Sequence, residues 1–176
     1  PAYFVGMDPA NKWNTFRSVI ANMVLFPLVT TLLLKGVGFI DSVFLKTQKD
    51  RIIPYIGCGI FYFWMYLVFH NHPVVSTILT SFVFGVFLTS SVALIANIYY
   101  KISMHALGVG GALGLMLLIL FTNASWAVSI PLMITIIICG LVCTCRLIVS
   151  DHSQKEIYMG LFFGVVCQFI ASTFIL

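Results

Sequence analysis

The stretch from Cys145 to Glu156, CRLIVSDHSQKE, carries Arg146, Asp151, His152, Lys155 and Glu156. The whole chain holds only nine Lys+Arg, five Asp+Glu and four His, so this concentration calls for a reason. The residue types suit phosphoryl transfer. Glu156 stands four positions after His152. If a helix resumes near His152, residues so spaced share a face. The carboxylate can then accept the proton on one imidazole nitrogen and leave the other as a nucleophile. Arg146 presents a planar pair of donors to phosphate oxygens. His105, from another part of the chain, can protonate a leaving oxygen. Lys46, Lys49 and Arg51 add cationic donors. Asp151 reads as a helix cap or a solvated side chain. Taken singly, the members have plainer readings, His152 as an interfacial loop histidine and Arg146 as a headgroup anchor. The spacing of the group favours chemistry.

The elements that must position these groups follow from composition. The chain has 176 residues, 61% of them hydrophobic and 8% charged. Soluble domains carry about 25% charged residues, so this chain reads as a polytopic membrane protein with no sizeable soluble domain. Six apolar segments run roughly over 18–38, 53–70, 74–99, 104–122, 126–149 and 157–176. Each is near the ~20 residues a helix needs to cross a bilayer, and in lipid a helix is the state that satisfies its own backbone. The expected fold is an all-α bundle of about six transmembrane helices. Residues 1–17 form an interfacial N-terminal segment, with Lys12, Trp13 and Arg17 at headgroup level, and 18–176 form a single transmembrane domain. The N-terminal stretch lacks a signal-peptide pattern, and a chain opening on Pro1 rather than Met leaves a preceding span open. Pro54 suits a first helical turn; Pro27 and Pro131 lie inside spans and predict kinks. The sequences GGALG (110–114) and GLFFG (160–164) contain GxxxG, which permits close helix packing. Cys58, Cys139, Cys143, Cys145 and Cys167 read as small helix residues.

Six spans make five loops, and alternate loops share a side. The first, third and fifth hold Asp41, Lys46, Lys49, Asp50 and Arg51, then Lys101, Ser103 and His105, then Arg146 through Glu156. The second and fourth, HNHP and TNAS, contain no Lys, Arg, Asp or Glu. His70 and His72 lie with the second loop and receive no role. Topology thus gathers the ionisable groups on one face of the membrane. Short basic clusters at span ends suit an anionic lipid or phosphate and argue against nucleic acid.

The same three clusters carry a resemblance. Cys145-Arg146-x5-His152-x3-Glu156 resembles the SR-x5-H-x3-D motif of the type 2 phosphatidic-acid phosphatase superfamily. Ile102-Ser103-Met104-His105 is similar to that family's PSGH motif, and Arg51-Ile-Ile-Pro54 loosely resembles its K-x6-RP motif. The order of motifs and the spans between them also fit, over roughly residues 46 to 176. The resemblance implies a metal-independent integral membrane lipid phosphatase with no cofactor. His152 would form a phosphohistidine, oriented by Glu156, and His105 would protonate the leaving group. Arg146 and Arg51 would bind phosphate, with Ser103 donating near its oxygens and Lys46 or Lys49 standing in for the family's lysine. The chain departs from the pattern at four places: Phe44 stands where that lysine would be, Met104 replaces Gly, Cys145 replaces Ser, and Glu156 replaces Asp.

The expected substrate is a membrane lipid phosphomonoester or pyrophosphate, its headgroup at the loops and its tails in the bilayer. The alternative is a catalytically inactive relative that binds or transports an anionic lipid. The resemblance implies a site on the extracytoplasmic face; the positive-inside rule alone would place the basic face in the cytoplasm. Oligomeric state is left open.

Overall fold

The computed structural model describes residues 9–43, 47–99, 102–123, 128–149 and 153–176. All regular structure among them is helical. The first span starts as α1 (Pro9–Ile20), passes through a π-helical turn (Ala21–Leu25) and continues as α2 (Phe26–Gly36). Then come α3 (Gln48–His70), α4 (Thr77–Tyr99), α5 (Met104–Asn123), α6 (Ser129–Val149) and α7 (Gln154–Ile175). Six spans are long and apolar enough to cross a membrane; the shortest has 19 residues. At 1.5 Å per residue that is about 28 Å, close to the ~30 Å hydrocarbon core. The protein is an all-α, multi-pass membrane bundle.

The boundaries refine the sequence reading. The helix begins at Pro9, so the polar residues up to Arg17 belong to the first turns of the first span. Pro27 does interrupt that span. It has no N–H to donate, and the turn before it is π-helical, with the Phe26 N–H bonded to the Ala21 carbonyl. Pro131 lies in the first turn of α6, where a missing N–H costs nothing. The expected kink there is therefore corrected. Pro54 is corrected in the opposite sense. Thr47 caps α3, its side chain accepting the Asp50 N–H at 3.2 Å, so the helix starts at Gln48 and Pro54 falls inside it. Pro54 consequently cannot donate to the Asp50 carbonyl.

The core lies where α4, α5 and α7 meet. The apolar windows of the fourth and sixth spans, α5 and α7, are 39% buried, against 6% for the first and fifth. Exposed Ile, Leu and Phe on the outer helices are what a lipid-facing surface requires. The glycine pairs explain the central packing. A Cβ at Gly110 would meet the Leu161 carbonyl oxygen, one at Gly164 the Leu107 oxygen, and one at Gly160 the Ser103 oxygen at 2.9 Å. The two GxxxG motifs thus let α5 and α7 approach backbone to backbone. Gln168, 1% exposed, fills the space over Gly85 and donates toward the Phe82 carbonyl at 3.5 Å. Two apolar clusters occupy the ends of the bundle. Met65, Phe69 and Val83 hold the end near His70. Tyr55, Ala93, Ala96, Ile102 and Leu107 hold the other.

Candidate functional site

The Tyr55–Leu107 cluster sits directly beneath the ends that carry the charged residues. Asn97 Nδ2, near the end of α4, donates to the Gln48 carbonyl at 2.8 Å and fixes α4 against the start of α3. The Ser103 N–H donates to the Glu156 carbonyl at 3.3 Å and joins the start of α5 to the first turn of α7. Arg51 of α3 and Met104 of α5 line one cavity. Cys139 Sγ donates to the Val109 carbonyl at 3.3 Å, which registers α6 against α5. Arg146 lies seven residues farther along antiparallel α6. That is about 10 Å, which brings it level with the start of α5. The described parts of the first, third and fifth loops therefore meet at one end of the bundle.

That end gathers the N-termini of α3, α5 and α7. The dipoles of three helix N-termini favour an anion there. Arg51 is 8% exposed and Asp50 7%, side by side in the first turn of α3. Arg146 is half-buried in the last turn of α6, where its charge also complements the helix C-terminus. Lys49 and His105 are exposed at the same end, each in the first turn of its helix. Lys46 and His152 lie outside the described residues, as does Asp151.

Two residues carry structural work in addition to any chemistry. Ser103 is fully buried, and its Oγ accepts the Ala106 N–H at 3.5 Å, capping α5. Its hydroxyl hydrogen remains a donor. Glu156 forms a capping box with Ser153. Its Oε2 accepts the Ser153 N–H at 3.1 Å, and its own N–H donates to Ser153 Oγ at 3.4 Å. The helix thus starts at Gln154 and Ser153 is extended, with φ −71° and ψ 158°. Ser153 is thus the cap of α7, and the relation of Asp151 and His152 to Glu156 lies outside the described residues. The box folds the carboxylate back along the chain. The N–H that it accepts belongs to the peptide joining His152 to Ser153.

The cavity was not legible in the sequence. It measures about 240 Å³ and lies between α2, α3, α4 and α5, with Arg51 and Met104 at one end and Tyr62 and Val86 deeper. Tyr55 lines it four residues below Arg51, and that i,i+4 spacing is the one signal that could have marked it. Among the described residues no three His, Cys, Asp or Glu side chains gather as metal ligands would. No protein-family profile, curated protein or solved structure matches this chain.

Proposed function

We propose that this chain is a metal-independent phosphatase of membrane lipids, working through a phosphohistidine. The observation that carries the reading is the meeting, at one end of the bundle, of Arg51, His105, Arg146 and Glu156, with the Ser103 backbone bonded to that of Glu156. In the first step an imidazole nitrogen of His152 attacks phosphorus. The N–P bond forms as the P–O bond to the lipid breaks, and His105 gives its proton to the leaving oxygen. In the second step water attacks phosphorus, His105 takes a proton from it, and inorganic phosphate leaves His152. Arg146 and Arg51 hold the non-bridging oxygens, helped by Ser103, Lys46 and Lys49 and by the three helix N-termini. The carboxylate of Glu156 holds the second imidazole nitrogen and stabilises the charge that develops there. The site faces the extracytoplasmic side, as the resemblance of the three motifs implies.

A second reading has specific support. Ser103 is fully buried and one oxygen of Glu156 is bonded to backbone, which suits an inactive relative that binds or carries an anionic lipid. Phosphate release separates the two. Purified protein in chelator, offered phosphatidic acid, phosphatidylglycerol phosphate and isoprenyl pyrophosphate, releases phosphate from at least one if the first reading is right. Binding of these lipids without release from any of them would leave the second.

A further inference from the structure

The cavity below Arg51 has a polar pattern of its own. Arg51, Tyr55, Cys58 and Tyr62 line it along one stripe of α3. From Arg51 to Tyr62 is eleven residues, about 16 Å of helix, or half of a ~30 Å hydrocarbon core. The cavity therefore runs from the phosphate-binding end to the depth of one leaflet. Its 240 Å³ volume would hold about eight small groups at the roughly 30 Å³ that each water takes in the liquid. That is enough for part of a hydrocarbon chain.

Most hydroxyls on this lining are already engaged. Thr31 Oγ1 donates to the Pro27 carbonyl at 2.8 Å, Thr89 Oγ1 to Gly85 at 2.7 Å and Ser90 Oγ to Phe87 at 2.8 Å. The Tyr62 hydroxyl lies close to the Cys58 thiol. Tyr55 differs. It is 7% exposed, its hydroxyl lies within the field of the Arg51 guanidinium, and its Oη has no partner among the described residues. A buried hydroxyl without a partner is costly and points to a group that supplies one.

We infer that the cavity seats one chain of the substrate, and that Tyr55 donates a hydrogen bond to an acyl carbonyl carried one helical turn below the phosphate. This rests on the phosphatase reading for its substrate and deepens it. In an acyl glycerol phosphate a short glycerol bridge separates the phosphate from its first ester carbonyl, which matches an Arg followed one turn deeper by a lone donor. In an isoprenyl phosphate the hydrocarbon follows the phosphate directly and offers Tyr55 nothing. Tyr55 is thus a specificity-determining residue for ester-linked lipid phosphates.

The test uses the full chain in detergent with 1-oleoyl lysophosphatidate and farnesyl phosphate, following phosphate release and, by native mass spectrometry, lipid binding. Tyr55→Phe keeps the ring and removes the donor. It should lower kcat/KM on the acyl lipid about fivefold to tenfold, the worth of one hydrogen bond, mainly through KM. Farnesyl phosphate should change less than twofold. Gly108→Leu probes the seat itself. Gly108 lines the cavity and an added Cβ meets nothing within 4 Å, so the leucine should be tolerated, fill the space and raise KM for both lipids. Equal effects of Tyr55→Phe on both lipids, or no effect on either, would overturn the Tyr55 assignment while leaving hydrolysis standing. Unchanged KM in Gly108→Leu would overturn the chain seat. If the wild type binds the acyl lipid in preference, Tyr55→Phe erases that preference, and neither lipid is hydrolysed, the phosphatase reading fails and the Tyr55 assignment holds.

Discussion

At the scale of single residues, the site contains side chains whose structural and chemical roles must be separated by experiment. Glu156 is the clearest. Its carboxylate closes a capping box on Ser153, and it is also the group assigned to orient His152. Glutamine serves a capping box as well as glutamate, so Glu156→Gln should keep the helix start and lose only the charge. The expected outcome is near-normal thermal unfolding with a large fall in kcat. Ser153→Ala should do the reverse, costing about 1 kcal/mol of stability with a smaller effect on kcat. The two histidines are separable by leaving group. If His105 protonates the leaving oxygen, His105→Ala should depress turnover of an alkyl lipid phosphate by about 10²–10⁴-fold. It should largely spare an aryl phosphate, whose phenolate leaves without a proton, when phosphoryl transfer limits the rate. Equal loss on both substrates would make His105 a phosphate ligand or a structural residue. The residue types were legible because ionisable groups are scarce in so apolar a chain. The capping roles of Ser103 and Glu156 were not, because a capping bond depends on where a helix starts, and the charge pattern does not say.

At the scale of elements, hydropathy alone located the six spans, since a length of about 20 apolar residues has few other uses. Their ends were less legible. The polar first turns of α3 and α7 look like loop by composition, yet Thr47 and Ser153 start the helices there. Pro54 consequently moved from a helix start to a helix interior. The glycines of α5 and α7 tell more than their motif does, because specific carbonyls fill the space a side chain would take. Gly164→Ala places a methyl against the Leu107 carbonyl, and α7 must shift away from the start of α5. Overpacking of this kind costs about 1–3 kcal/mol. Because Ser103 and Glu156 are joined across the same interface, activity should fall along with stability. Gly140, where an added Cβ meets nothing within 4 Å, supplies the control. Gly140→Ala should leave both thermal unfolding in detergent and turnover unchanged or slightly improved.

At the scale of the whole molecule, alternation of six spans brings charges far apart in sequence to one end of the bundle, and helix packing there leaves a cavity of about 240 Å³ under Arg51. The first of these was legible by counting loops. The second was not, because a cavity depends on which helices touch. Sidedness can be read directly. Single cysteines at Lys49 and Gln154, both exposed, should react with a membrane-impermeant thiol reagent from one side of the membrane, and one at His72, exposed at the opposite end, from the other. For the proposed orientation, the first two react from outside intact cells. The most direct test of the central claim is capture of the intermediate. Purified protein mixed with a ³²P-labelled lipid phosphate in chelator and quenched in alkali within milliseconds should carry covalent label. That label should survive base, be released by mild acid as phosphohistidine is, and be absent from His152→Ala. Phosphate release at full rate by His152→Ala, or turnover by the wild type with no base-stable labelled protein at any quench time, would contradict the account.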